Sequence, residues 1–338
     1  MHTHALVPLL SSALLCAAST SIFAQSASAS GPAPGMSAPP PGMGDPHGIG
    51  GPLGGGRPPH TVKPTHAGLR YAQISNTEKL DLYLPDGHLS AAPMLVFFHG
   101  GGFRFGDETN PIPDFAPYLK AGYAVASVGY RLSGEAKFPA AVEDGAAAVR
   151  WLRKHATEYG LDPARFASWG QSAGGNIAAI LGTATKGQFD NKALGSIDAS
   201  STVKAAVVQY PPIDFLQLDS LLRNCQGATM PGNGTHDQAD SFESIYLGGP
   251  IQSIPKVAAK ANPITYIDAA SADFLIQGGG RDCMVGLEQS KLLFSALLPV
   301  LGAKRVQFDT FPDATHADAA FDAPSNAAHI LDFLHAHL

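Results

Sequence analysis

The stretch from Ser168 to Gly182, SWGQSAGGNIAAILG, decides how this chain is expected to fold. The apolar run RFASW precedes the central serine, and the helix-forming run AGGNIAAILG follows it. Residues 170–174 match G-x-S-x-G, in which a serine occupies a sharp strand-to-helix turn that glycines allow to close. The pattern predicts Ser172 as a nucleophile. Taken alone, the same pattern also fits a glycine-rich turn that has no catalytic role.

Short apolar runs and helix-type runs alternate on both sides of this stretch. This alternation predicts an α/β fold whose mostly parallel central sheet is flanked by helices on both faces. Helical periodicity marks a face through Val142 and Leu152, and another in a terminal helix that would begin behind a Ser325 cap. The candidate strands are Leu80–Leu84, Met94–His99, Tyr123–Tyr130, Arg165–Trp169, Ala205–Tyr210, Phe274–Gln277 and Val306–Phe311.

A serine hydroxyl becomes a strong nucleophile only beside a base, and that base needs an acid to orient it. Asp282 follows the apolar strand in DFLIQGGGRDCMV, and His316 follows the next strand in VQFDTFPDATHADAAF. The carboxyl ends of parallel strands meet at one sheet edge, so Ser172, Asp282 and His316 are expected to converge there.

Other residues compete for the two supporting roles. Asp273, Glu288 and Asp313 are alternative acids near the same strands. Position favours His316 as the base. By contrast, several other histidines fall in the terminal helix or in the first 60 residues: His329, His335, His337, His2, His4, His47 and His60.

The segment VFFHGGGFRFGD supplies a receptor for the oxyanion that forms when an ester carbonyl is attacked. The amides of Gly101 and Gly102, together with the amide of Ala173, are predicted to donate to it, and Gly100 is an alternative. A phosphate-binding loop is excluded because neither G-x-x-x-x-G-K-[ST] nor a dinucleotide fingerprint is present. We expect His99 to brace this loop rather than to carry protons.

Composition restricts the partners. A formal charge of -6 with 15% charged residues disfavours nucleic acid and favours a neutral or weakly charged small-molecule substrate. No zinc or calcium ligand spacing occurs, so we expect neither a metal nor a cofactor.

The N-terminal region reads as an export segment and a tether. Residues 1–24 are predicted to be a signal peptide cleaved after Ala24, with Ala29 as an alternative, and their apolar run is too short for the roughly 20 residues of a membrane span. Residues 25–64 are predicted to be a Gly/Pro-rich disordered linker and residues 65–338 the catalytic domain. The protein would therefore be periplasmic or secreted.

Removal of the signal peptide would leave two cysteines, Cys225 and Cys283. An even pair in an oxidising compartment is a possible disulfide, and two separate buried thiols are the alternative. Cys225 lies in Pro211–Asn262, a long interval without periodicity that is expected to be an insertion.

With HGGG, GQSAGG, Asp282 and His316 in this order, the chain resembles the α/β-hydrolase superfamily, specifically its hormone-sensitive-lipase-like and bacterial feruloyl-esterase-like (BD-FAE-like) carboxylesterases. The resemblance extends from Tyr71 to Leu338. It implies the α/β-hydrolase fold with an insertion after the sixth strand. It also implies ester hydrolysis through an acyl-enzyme, with Ser172 as nucleophile, His316 as base and Asp282 as the residue that orients it.

Two departures from the family pattern flank the acid. Gly278 and Gly279 stand where the family usually has His-Gly, and Val285 and Gly286 stand where it usually has Val-Pro. The expected function is a serine carboxylesterase acting on short-chain or carbohydrate-linked acyl esters. The alternatives are a serine exopeptidase or amidase on the same fold, and a catalytically silent binding protein.

Overall fold

The computed structural model describes residues 62–87, 91–109, 111–222 and 235–338. The predicted signal peptide and all but the last three residues of the predicted linker lie outside these ranges, so both stay predictions.

A single eight-stranded sheet organises the described chain, in the order β1-β2-β4-β3-β5-β6-β7-β8. Two neighbouring pairs at one side of the sheet are antiparallel, β1 with β2 and β2 with β4. The remaining pairs, from β4 and β3 across to β7 and β8, are parallel. The strands are β1 His66–Arg70, β2 Lys79–Tyr83, β3 Ala92–Phe98, β4 Ala124–Val128, β5 Leu161–Gln171, β6 Ala205–Gln209, β7 Asp273–Gly279 and β8 Val306–Phe311.

Helices cover both faces of the sheet. They are α1 Ala116–Lys120, α2 Ala140–Lys154, α3 Ala173–Thr183, α4 Leu218–Leu221, α5 Phe242–Leu247, α6 Pro255–Lys260, α7 Leu287–Leu301 and α8 Pro324–His337. Alternate residues of β3 divide the core: Met94, Val96 and Phe98 pack with α2, α3 and α7, whereas Leu95 and Phe97 pack with α1 and α8. Both faces of the strand are buried, which explains its continuous apolar sequence.

The seven predicted strands and the mostly parallel sheet with helices on both faces are confirmed, with shifts at the strand ends. β1 was not predicted, since its sequence HAGLR contains a glycine and most of its residues are half-buried or exposed at the sheet edge. The predicted Ser325 cap is wrong: α8 begins at Pro324 behind Ala323, and no side chain caps it. Proline suits the first helical position, where an amide hydrogen has no partner anyway.

Because β3 and β5 to β8 are parallel, their carboxyl ends lie at the same edge of the sheet. The loops after β3, β5, β7 and β8 carry the four predicted site segments. The predicted insertion lies between β6 and β7 and contains α4, α5 and α6. The structure therefore agrees with an insertion after the sixth strand.

Candidate active site

Ser172 is the single residue between β5 and α3. Its backbone angles, φ 52° and ψ −121°, lie in a region that residues other than glycine rarely adopt. Its amide donates to the Gln209 carbonyl at 3.0 Å. This strained turn places the serine at the N-terminus of α3, where the helix dipole favours negative charge.

Two glycines make the turn possible. A Cβ atom on Gly174 would overlap the carbonyls of Phe98 and His99, so α3 approaches the end of β3 only because that atom is missing. A Cβ atom on Gly170 would overlap the Gly174 carbonyl. The glycine spacing of the motif is thus a steric requirement of the turn.

The three predicted catalytic side chains meet in one hydrogen-bonded row. Nδ1 of His316 lies 2.7 Å from Oδ2 of Asp282, and Nε2 of His316 lies 2.9 Å from Oγ of Ser172. Since a carboxylate only accepts hydrogen bonds, the proton of the neutral ring is on Nδ1, and Nε2 is free to accept the serine proton.

Asp282 is held so that one carboxylate oxygen remains available to His316. Its Oδ1 accepts hydrogen bonds from the amides of Met284 and Val285, both at 2.9 Å. The side chain has no exposed surface, whereas that of His316 is 9% exposed. A buried acid with its other oxygen already bound gives His316 a fixed orientation.

The predicted oxyanion loop follows β3 directly. A Cβ atom on Gly100 would lie 3.3 Å from Cβ of Ser172, so the loop contacts the nucleophile. Gly101 and Gly102 have φ values of 110° and 60°, which glycine adopts readily. The Gly101 carbonyl accepts from the amides of Arg104 and Phe105 at 3.0 Å, which closes the loop into a turn. The choice of Gly101, Gly102 and Ala173 as donors stays a prediction.

His99 braces this loop, as its position in the sequence suggested. Its ring stacks on Tyr130 at 4.3 Å, and its Nδ1–H donates to the Gly100 carbonyl at 2.7 Å. Burial lowers the pKa of His99 to about 4, so the ring is neutral at pH 7.

Side chains of neighbouring elements lie close to both departures from the family pattern. A Cβ atom on Gly278 would collide with Leu287 and crowd Ser290, two residues of α7 that occupy the space a side chain would need. A Cβ atom on Gly286 would lie 3.1 Å from the Leu222 side chain, directly after α4. Neighbouring side chains thus fill the space beside the acid loop.

The competing acids lie elsewhere. Asp273 is the first residue of β7 and therefore lies at the amino ends of the parallel strands, away from His316. There it pairs with Arg305 and His337. Glu288 is largely exposed and pairs with Lys291 at 2.7 Å, and Asp313 is exposed. Among the four candidates, only Asp282 contacts His316.

Sequence reasoning missed the residues that surround the catalytic groups. Tyr210, with a φ of 41°, packs edge-on against His316 at 5.0 Å. The Phe105 and Phe242 rings meet at 5.7 Å beside the oxyanion loop, and the Arg104 guanidinium lies 5.7 Å from both ring centres. We call Arg104, Phe105 and Phe242 the aromatic rim. The positive φ of Tyr210 and the contact between Phe105 and Phe242 arise from tertiary packing. Neither feature leaves a local signal in the sequence.

Cys225 lies outside the described residues. Cys283, next to Asp282, is disulfide-bonded. The pairing of Cys225 with Cys283 stays a prediction, which mass spectrometry of non-reduced peptides would test.

Across the described ranges, no group of three or more His, Cys, Asp or Glu side chains is arranged to hold a metal ion. In the same residues, no helix has the length and apolar character needed to cross a bilayer.

Known proteins are similar to parts of this chain. Esterase LipI of Mycobacterium tuberculosis is 45% identical over 91 residues, which are 27% of this chain and 28% of that protein. Arylacetamide deacetylase-like 2 of Homo sapiens is 34% identical over 189 residues, 52% of this chain and 44% of that protein. The matched segments thus span less than half of these two relatives.

A solved structure covers more of the chain. The truncated form of a carbohydrate esterase from gut microbiota superposes with a TM-score of 0.70 and 26% identity, covering 80% of this chain and 94% of that one. The model of the BD-FAE family matches residues 80–297, well over half of the sequence and all of β3 to β7. The chain has the α/β-hydrolase fold and belongs to the BD-FAE family.

Proposed function

We propose that this protein is a serine carboxylesterase that hydrolyses short-chain or carbohydrate-linked acyl esters through an acyl-enzyme. The observation that carries the proposal is the row from Ser172 through His316 to the buried Asp282, with separations of 2.9 and 2.7 Å. Esterase names among the relatives and the likeness to a carbohydrate esterase support it.

In the proposed reaction, Oγ of Ser172 attacks the ester carbonyl while Nε2 of His316 accepts its proton. Asp282 stabilises the imidazolium that forms. The oxyanion receives hydrogen bonds from the backbone amides of the HGGG loop and Ala173. His316 then returns the proton to the leaving alcohol, and the acyl-enzyme is hydrolysed by water through the same steps.

The carbohydrate-linked part of the proposal rests on the aromatic rim. Phe105 is 41% exposed next to the oxyanion loop, and apolar faces of sugars and aromatic acyl groups both pack on such rings. Arg104 adds hydrogen-bond donors for hydroxyl or carbonyl oxygens.

The decisive experiment compares the protein with its Ser172→Ala variant on p-nitrophenyl acetate, butyrate and decanoate, feruloyl and acetylated xylan esters, and aminoacyl anilides. We expect ester hydrolysis whose kcat falls roughly 10⁶-fold in the variant, as for removal of other catalytic serines. Equal rates in both proteins would refute the assigned nucleophile. Hydrolysis of anilides without esters would favour the exopeptidase or amidase reading, and no hydrolysis at all would favour a silent binding protein.

We further propose that the protein is exported, which residues 1–24 support. N-terminal sequencing of the protein recovered outside the cytoplasm would test this, with a mature terminus at Gln25 or Ser30 expected.

A further inference from the structure

His236 belongs to the insertion between β6 and β7, yet its side chain reaches the acid loop after β7. Nε2 of His236 lies 2.9 Å from the Met284 carbonyl oxygen, and the side chain has no exposed surface. Met284 is two residues after Asp282, so a buried histidine of the insertion contacts the loop that carries the catalytic acid.

The contact bears directly on the orientation of Asp282. The amide of Met284 donates to Oδ1 of Asp282 at 2.9 Å, and Oδ2 of the same carboxylate contacts His316 at 2.7 Å. His236 therefore binds the carbonyl of the residue whose amide helps to fix the acid. A displacement of Met284 would rotate or release one side of the carboxylate.

The charge around His236 favours a ring protonated on both nitrogens. Nε2 faces a carbonyl oxygen and must carry a hydrogen. Nδ1 lies 3.1 Å from Oε2 of Glu243, and charge attraction rather than an aligned hydrogen bond holds this pair. If Nδ1 lost its proton, its lone pair would face a carboxylate oxygen.

Two carboxylates outweigh the effect of burial. Glu243 approaches from α5. Asp219 approaches from α4 and accepts hydrogen bonds from the amides of His236 and Asp237 at 2.8 and 2.9 Å. Burial alone would lower the pKa of His236, but Glu243 and Asp219 raise it above the ordinary histidine value. The imidazolium therefore persists to a higher pH than that of an ordinary histidine, and it is lost as the pH rises through that raised pKa.

We propose that His236, paired with Glu243, is a positioning residue for Asp282, so that the insertion rather than the acid loop alone keeps the catalytic carboxylate aligned. This inference rests on the proposed function for its kinetic meaning. His236 touches no reacting atom and acts through the Met284 peptide.

The test measures kcat, KM and their pH dependence in the wild type, His236→Asn, Glu243→Gln and a matched control, His337→Asn. Asparagine is too short to donate to the Met284 carbonyl, which removes the contact made by Nε2 of His236. His337 forms a histidine–aspartate pair with Asp273 at the amino ends of the parallel strands. For His236→Asn we expect kcat to fall roughly 10- to 100-fold with little change in KM, because a displacement of about 1 Å can cost this much. The control is expected to retain the wild-type kcat.

The pH profile separates positioning from simple stabilisation. In the wild type, kcat is expected to fall as the pH rises through the raised pKa of His236, because the ring then loses the proton that faces Glu243. In Glu243→Gln, the amide can donate to the neutral ring, so this decline should disappear. The inference is overturned if His236→Asn lowers only the Tm and leaves kcat and its pH profile unchanged, or if His337→Asn loses as much activity.

A measurement that needs no catalysis can test this inference separately from the proposed function. The low-field proton NMR signal of the hydrogen bond between His316 and Asp282 should be present in the wild type and in Glu243→Gln, and shifted or lost in His236→Asn. If the wild type hydrolyses no ester, the proposed function fails and this signal still tests the positioning. An unchanged signal in His236→Asn would refute the positioning role.

Discussion

Two histidine–aspartate pairs lie at opposite edges of the sheet, and both have Nδ1 2.7 Å from Oδ2. At the carboxyl edge, Asp282 binds His316 with a fully buried side chain. At the amino edge, Asp273 binds His337, is 18% exposed and is also paired with Arg305. The separation alone does not distinguish the two pairs.

The surroundings decide which pair can act in catalysis. Asp282 accepts two neutral loop amides on its other oxygen, so its full charge remains available to an imidazolium on His316. The charge of Asp273 is already shared with the Arg305 guanidinium. In addition, the strained turn at Ser172 brings a hydroxyl to the second nitrogen of His316. A catalytic pair therefore needs an uncompensated acid and a third partner.

The largest expected effect separates the two acids. Asp282→Asn should lower kcat roughly 10⁴-fold, because the amide holds His316 in the wrong tautomer. Asp273→Asn should leave kcat unchanged and reduce the free energy of unfolding by about 1 kcal/mol, as expected for a partly exposed ion pair. Steady-state kinetics and urea unfolding of both variants would measure this. A comparable loss of kcat in Asp273→Asn would contradict the distinction.

A smaller effect on activity is expected when alanine replaces a glycine at the carboxyl ends of the strands, in comparison with a glycine at their amino ends. Gly101→Ala should lower kcat/KM roughly 100- to 1,000-fold, since its Cβ atom would overlap the Phe105 carbonyl and displace the oxyanion donors. Gly302 also has a positive φ, 79°, but a Cβ atom there meets nothing within 4 Å. Gly302→Ala should retain activity and lose about 1 kcal/mol of stability to backbone strain.

If both glycine variants lost activity to the same extent, backbone strain rather than the oxyanion loop would be responsible. Measuring kcat/KM beside urea unfolding for each variant distinguishes these cases.

The last expected effect concerns stability rather than turnover. The pKa of buried His99 is about 4, compared with about 6.5 in the unfolded chain. As the pH falls from 6.5 to 4, the unfolded state takes up a proton that the folded state does not, so about 3 kcal/mol of stability should be lost. The free energy of unfolding of His99→Gln, measured over the same pH range, should decline less steeply. Parallel declines would show that other groups cause the acid sensitivity.

Much of the scaffold and the catalytic row could be predicted because their signals are local. Short β-type runs, several of them nearly continuous in apolar residues, identified seven strands, and a glycine-flanked serine between a strand and a helix identified Ser172. Asp282 and His316 followed from their positions just past β7 and β8. The edge strand β1 gave no such signal, since it buries little apolar surface.

The support beneath the site could not be predicted, because its contacts join distant segments. Nε2 of Gln209 donates to Oε1 of Gln277 at 2.9 Å, and Nε2 of Gln171 donates to Asp322, which is 151 residues away in the chain. Glutamine in a strand has no pattern that announces such a partner. Buried amides find partners only once neighbouring strands are in register.

By itself, the sequence determined seven of the strands, the turn at Ser172 and the chain order of serine, aspartate and histidine, because backbone sterics and hydrophobic periodicity act over a few residues. Only the tertiary structure decided which of the candidate acids reaches His316, which side chains occupy the space beside Gly278 and Gly286, and that His236 contacts the acid loop. Those choices depend on packing and charge between loops that are far apart in the chain, and such contacts form only when the sheet brings the loops to one edge.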